Sequence, residues 1–439
     1  MKPTRALAAA LLAACLLPPL AAAVAPPAAA PPAQEPAPAV FAITNARVFD
    51  GGRFLSKAIV VVRDGRIVAV GPAAAIPAGA AVVNAAGGVL LPGFIDSHTH
   101  VWGEALARAL VFGVTTELDM FTDPQLARTY RAEQARPGGV ADRADLFSAG
   151  ILATAPGGHG TEYGMPIPTL TKPAEAQAWV DARIAEGSDY VKIVSEDLSA
   201  YGTRRIPTLD RATIAALIQA AHRRGKLAVV HISTAETARQ AIEDGADGLV
   251  HLFTDQAPAP DFARLVAARK AFVIPTLTVL EGTNGVASGK SLTTDLRLKG
   301  WLAGDEIGNL QRAFPARTAG GMAVAFATVR QLAAAGVPIL AGTDAPNPGT
   351  AHGVSLHREL ELLVQAGLTP TQALAAATAV PAKAFHLADR GRIAPGLRAD
   401  LVLVAGDPEK DITDTRNIVR VWKGGKPFAR LITPSAPSR

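Results

Sequence analysis

The chain has 439 residues, 49% of them hydrophobic, with 43 Lys and Arg against 38 Asp and Glu. That length and apolar content suffice for a large core spread over two or three domains, although much of the apolar share is alanine. Without Lys2 and Arg5 of the leader the balance is 41 basic to 38 acidic, and only four Trp and four Tyr could stack on bases, so no nucleic-acid partner is expected.

Residues 1–25, MKPTRALAAALLAACLLPPLAAAVA, combine a basic start, an apolar middle and small residues suited to peptidase cleavage. This is the pattern of a secretory signal peptide, so the mature chain is expected in the periplasm or outside the cell. Pro18 and Pro19 interrupt the run before the roughly 20 residues that a membrane span needs. Cys15, the single cysteine, lies in Leu-Ala-Ala-Cys, which resembles a bacterial lipobox. A lipoprotein anchored through Cys15 is therefore the alternative, and the only expected route to a membrane. No disulfide can form within the mature chain. Residues 26–40 repeat Ala and Pro and are expected to form an extended linker.

From residue 41 to 92, short β-rich runs alternate with Asp-Gly and Gly-Gly turns, and residues 395–430 repeat that texture in GLRADLVLVAGDP and IVRVWKGGK. The two ends are expected to pair into one small β-sandwich. Residues 93–394 have another rhythm. Eight apolar strand candidates, FIDSHTH, TTELDM, DLFSAGILA, YVKIVSED, LAVVHIS, GLVHLF, FVIPTLTVL and PILAGTDA, are separated by alanine-rich helical stretches such as LDRATIAALIQAAHRRG. Eight strand–helix units over about 300 residues predict a (β/α)₈ TIM barrel.

Side chains two apart on a strand share a face, so His98 and His100 in FIDSHTH project together. Alone, such a pair is as well explained by buried histidines satisfied through hydrogen bonds. The other strands supply more. Lys192 interrupts YVKIV, His231 interrupts LAVVHIS, His251 interrupts GLVHLF and Asp344 ends PILAGTD. All lie near the C-terminal ends of predicted strands, where barrels of this kind build their active sites. Each would cost several kcal/mol to bury unpaired, and a shared metal removes that cost. Histidines, a carboxylate and no cysteine form a nitrogen and oxygen donor set suited to zinc, with cobalt, manganese or iron compatible by donor type. Lys192 fits such a set only if modified; taken alone, it reads as a structural partner of Glu196 or Asp197.

LLPGFIDSHTH, the lysine of YVKIV, the histidines of VVHIS and LVHLF, the aspartate of GTDA and the closing GRIAPGLRADLVLV together resemble the amidohydrolase superfamily. The likeness is to its binuclear subgroup of secreted dipeptidase-like and imidazolonepropionase-like proteins, and it spans residues 41–426. It implies that Lys192 is carboxylated by carbon dioxide to a carbamate that bridges two divalent metals. It implies further that His98, His100 and Asp344 hold one metal and His231 and His251 the other. The expected reaction is hydrolysis of a C–N amide bond in a dipeptide, an N-acyl amino acid or a cyclic amide by a metal-bridging hydroxide, with Asp344 moving the proton. One departure stands out: where several peptidase-like relatives carry glycines after the lysine strand, this chain has Ser195, Glu196 and Asp197.

The Gly-Gly-His-Gly loop after the third strand resembles a loop in carboxypeptidase-like relatives and makes His159 and Tyr163 candidate substrate contacts, with Glu162 beside them. Trp102 and Glu104 are candidates for the pocket or for the cap of the first helix. His352 and His357 are expected to be structural, and His222 and His386 to lie outside the site. The partner is expected to be a small amide or peptide, and a homo-oligomer is compatible with the sequence. Two rivals remain: a mononuclear deaminase on the same barrel, against which Lys192 counts, and a non-catalytic periplasmic binding protein, whose mark would be a broken ligand set.

Overall fold

The computed structural model describes residues 39–201, 205–315 and 321–430; the leader, Cys15 and nearly all of the linker lie outside them. The first five strands are β1 (Val40–Phe49), β2 (Phe54–Arg63), β3 (Arg66–Gly71), β4 (Ala81–Asn84) and β5 (Val89–Pro92). Seven more follow in the central region: β6 (Phe94–Thr99), β7 (Val114–Asp119), β8 (Asp145–Ser148), β9 (Val191–Ser195), β10 (Ala228–Ile232), β11 (Gly248–Val250) and β12 (Phe272–Ile274). The last three are β13 (Leu401–Val404), β14 (Ile418–Lys423) and β15 (Lys426–Phe428).

β13 pairs antiparallel with β5, so the two ends of the chain meet in one eight-stranded sheet of order β15-β14-β13-β5-β1-β2-β3, with β4 also on β1. The expected sandwich is thus a single sheet, not two. Phe41 on β1 and Trp422 on β14 stand three strands apart, about 14 Å in a flat sheet, yet their rings stack with centroids 6.0 Å apart. The sheet therefore curls around a core that includes Ile43, Val60, Leu90 and Leu401. β1 allows the bend by changing partner. Thr44 is opposite Asn84 of β4, while Arg47 is opposite Val89 of β5, and between them Asn45 takes a left-handed φ of 54° that asparagine tolerates.

The central strands form two parallel sheets, β6-β7-β8 and β12-β11-β10-β9. Ile95, Leu118, Val229, Val250, Ile274 and Leu340 belong to one buried cluster, and their strand neighbours Phe94, Ile193, Val230, Leu249 and Val273 to another that includes helix residues such as Leu217 and Leu360. Apolar packing on both faces is what parallel strands require. Single bridges join the two sheets at Ala153 and Ile193, and tie Val273 to Ile339 and Thr99 to Ala345. The eighth predicted strand, PILAGTDA, therefore appears as bridges at its ends and not as a strand, because Ala341 donates to Ala376, the last residue of the 370–376 helix. The third is cut to Asp145–Ser148 by Gly150 at φ 64°. The second half of FVIPTLTVL is a helix, Leu277–Thr283. Thr276 ends the strand with φ 48°, and the buried carboxylate of Glu359 accepts from the N–H groups of Leu277 and Thr278 at 3.0 and 2.8 Å.

A buried ion cluster fastens the terminal sheet to β8. Asp145 Oδ2 lies 2.9 Å from Lys423 Nζ, 2.7 Å from Arg390 Nη1 and 2.8 Å from Arg398 Nη1. Burial alone would raise Asp145, but these three cations hold its carboxyl down at about 2. A folded value below the unfolded one, about 3.9, means that the stabilisation is complete above pH 4 and is lost as pH falls towards 2. Asp145→Asn is expected to cost about 3–5 kcal/mol near neutral pH, because three cations lose a buried partner. Urea unfolding at pH 7 and between pH 4 and 2 checks this: the variant should lose less stability than the wild type across the acid interval.

Candidate metal centre

His98 and Asp344 are pinned to each other through the backbone. The carbonyl of His98 accepts from the N–H groups of Thr343 and Asp344 at 3.2 and 2.7 Å, and His100 N–H donates to Ala345 at 2.8 Å. Asp344 sits at φ 58°, a left-handed conformation that turns its side chain off the line of a strand. Its Oδ1 lies 3.2 Å from His98 Nε2 and 2.9 Å from His100 Nε2. That oxygen and both nitrogens of His98 are nevertheless buried without an aligned hydrogen bond. Atoms that approach this closely without bonding to one another point at a common centre.

The other three residues close on the same place. Lys192 and Val229 are register partners on β9 and β10, and His231 is opposite Val194 and Val250. His251 follows β11 at φ 70°. Ring centroids are 4.8 Å apart for His98 and His251 and 4.4 Å for His231 and His251. One donor atom from each of His98, His251 and Asp344 lies within 4.8 Å of the others. All six residues line one cavity of about 370 Å³.

The electrostatics suit a cation. Burial, reinforced by Lys192, pushes His98 down to about 3, and burial takes His231 and His251 well below the usual imidazole range. These rings are neutral at pH 7 and carry free lone pairs. Burial would raise Asp344, but His98 and His100 keep it ionised, far below the usual carboxylate range. Neutral imidazoles, an anionic carboxylate and unpaired buried donor atoms fit a divalent metal.

Two residues support the site in roles that the sequence did not assign to them. Glu196 does not pair with Lys192: its Oε1 accepts from Leu198 N–H at 2.5 Å and its Oε2 lies 3.3 Å from His231 Nε2. Asp197 faces Arg205 instead, at 3.5 Å. Thr276 Oγ1 lies 2.7 Å from His251 Nδ1. Thus each of His231 and His251 has one ring nitrogen occupied by a neighbour and one left for a ligand, the usual support of a metal-binding histidine. The Ser-Glu-Asp departure marked Glu196, whereas nothing local marks Thr276.

Both candidate substrate contacts, His159 and Tyr163, line the cavity, and the ring of His159 is 5.0 Å from that of His231. Glu162 Oε1 lies 2.6 Å from His159 Nδ1. Trp102 meets Phe121 edge to face at 6.3 Å and is not among the residues that line the cavity. Glu104 occupies the N-cap of the first helix without a side-chain capping bond, so neither role expected for it is found. His357 is structural, held between Thr415 Oγ1 and the Phe112 carbonyl, and His352 is buried against Glu117 at 3.0 Å. His222 pairs with Asp247 at 2.8 Å, away from the cavity.

The family profile described as "Amidohydrolase family" matches residues 89–428, and a "NagA composite domain" matches residues 40–90. Imidazolonepropionase of Cereibacter sphaeroides is 29% identical over 401 residues, covering 82% of this chain and 91% of its own length. Imidazolonepropionase of Anaeromyxobacter dehalogenans is 30% identical over 357 residues, covering 76% and 79%. Among solved structures, a putative prolidase from Bifidobacterium longum superposes with a TM-score of 0.71 at 24% identity, covering 91% of this chain and 97% of its own. The chain belongs to the amidohydrolase family, on its imidazolonepropionase-like side, and is a metal-using hydrolase of carbon–nitrogen bonds.

Proposed function

We propose that this chain hydrolyses the C–N bond of a small amide, whether dipeptide, N-acyl amino acid or cyclic amide, with two divalent cations and Lys192 carried as a carbamate. The observation behind this is that six chemically matched residues, far apart in sequence, line one cavity. The same reading takes the central strands as a closed (β/α)₈ barrel whose eighth place is the 339–345 segment; the bridges at Ile193, Ile339 and Ala345 support it.

His98, His100 and Asp344 would hold one cation, His231 and His251 the second, and the Lys192 carbamate would reach both. Cations bound there supply Lewis acidity, probed below through metal content. The residues of the chain do the rest. The ionised carboxylate of Asp344 takes a proton from the attacking water and returns it to the leaving nitrogen, so that a carboxylate and an amine depart. Glu162 accepts from His159 Nδ1–H, so His159 donates to the substrate carbonyl from Nε2–H when its ring carries both protons. Glu196 and Thr276 hold the rings of His231 and His251 in place.

A mononuclear deaminase remains the competitor, favoured by the tight trio of His98, His251 and Asp344. Metal analysis of dialysed, active protein separates the two. Two equivalents per chain are expected, with activity rising until both are bound; full activity at one equivalent assigns the chain to the deaminase class.

A further inference from the structure

We infer that the amide accepted by this site carries a bulky apolar group, aryl or branched alkyl, close to the scissile bond. This rests on the hydrolase reading above and extends it to the substrate class. The wall of the cavity beyond the six centre residues includes Leu152, Leu198, Val279, Leu280 and Phe314. They come from four separate places: the loop after β8, the segment after β9, the 277–283 helix, and the chain after the 304–310 helix. A wall assembled from four segments is a built surface, not a local accident of sequence.

Three of the polar side chains among them are already engaged within the protein. Glu162 accepts from Gly160 N–H at 2.5 Å and meets His159; Glu196 accepts from Leu198 N–H and meets His231; Asn347 Nδ2 donates to the Asp344 carbonyl at 2.9 Å. The approach is aromatic too. Ring contacts run from Trp102 to Phe121 at 6.3 Å, to Tyr163 at 6.0 Å and on to His159 at 5.9 Å. Trp102 and Tyr163 are 42% and 54% exposed, large side chains left facing water, and Tyr163 lines the cavity. A cavity of about 370 Å³ is within the range of ligand pockets that enclose most of their guest. An apolar group against Leu152, Leu198, Val279, Leu280 and Phe314 displaces water from side chains that offer it no hydrogen bonds, whereas a small polar acyl group gains nothing from them.

The test uses the metal-loaded full chain and two matched amide series, one growing from acetyl to isovaleryl to phenylacetyl on the acyl side, the other growing equivalently on the amine side. The specificity constant kcat/KM is expected to rise roughly tenfold or more along at least one series. The ratio of the largest to the smallest substrate should fall in Phe314→Ala. Flat or falling profiles in both series overturn the inference. If no amide is turned over, the hydrolase reading fails, and the pocket is judged separately by calorimetry on Asp344→Asn protein with N-methylphenylacetamide and N-methylacetamide. Tighter binding of the aryl amide by roughly tenfold upholds the apolar subsite; equal affinities refute it.

Discussion

Asp344→Asn is expected to lower kcat/KM about 1,000-fold or more, since on the mechanism proposed above it removes both a proton carrier and an anionic ligand from one atom group. The fold should survive. The backbone at this position is held by bonds that the side chain does not make: Asp344 N–H to the His98 carbonyl at 2.7 Å and Asn347 Nδ2 to the Asp344 carbonyl at 2.9 Å. Its φ of 58° is one that asparagine, unlike alanine, adopts at small cost. The melting temperature should therefore move by no more than about 4 °C. Steady-state kinetics beside a thermal melt check both halves. A stable variant with near wild-type turnover would remove Asp344 from proton transfer and return the site to a role in binding alone.

The asparagine test also shows why the site was readable from sequence while parts of the fold were not. His98, His100, Lys192, His231, His251 and Asp344 are ionisable residues set into apolar strands, an incongruity visible one strand at a time, and burial next to one another is the only arrangement that makes each tolerable. The strands themselves read well where β-branched runs were bounded by turn residues, as in YVKIVS and LAVVHI. FVIPTLTVL misled because a short, continuous apolar run has no period that separates strand from helix. What decides it is Glu359, 82 residues from Leu277, holding the N-terminal amides of the helix. PILAGTDA misled for a related reason. Its backbone bonds are split among Val273 of β12, Ser97 and His98 of β6, and the helix end at Ala376, so its composition is that of a strand while its ladder is not. Likewise, Thr276 beside His251 and the apolar wall at Leu280 and Phe314 come from long-range packing, which no local pattern encodes.

Lys192→Ala carries the second large effect. A buried lysine between three histidines and an aspartate is an expensive choice unless its charge is changed. Burial pushes its ammonium down to about 7, while Asp344 and Asp119 pull the other way. A sizeable share is thus free amine at neutral pH, and a free amine adds to carbon dioxide: an N–C bond forms, a proton leaves the nitrogen for solvent, and a carbamate anion remains. Alanine cannot do this. The variant is expected to keep at most one metal equivalent and to lose activity by roughly 100-fold or more. A small carboxylate such as formate or acetate, entering the space that the side chain vacates, should restore part of both, because it supplies the same two oxygens without the tether. Metal content measured with and without the added acid reads the effect independently of turnover. Alanine protein that still holds two cations would show that Lys192 stands beside the centre without joining it. Loss of metal with no response to any small carboxylate would make the lysine a packing element and remove the carbamate.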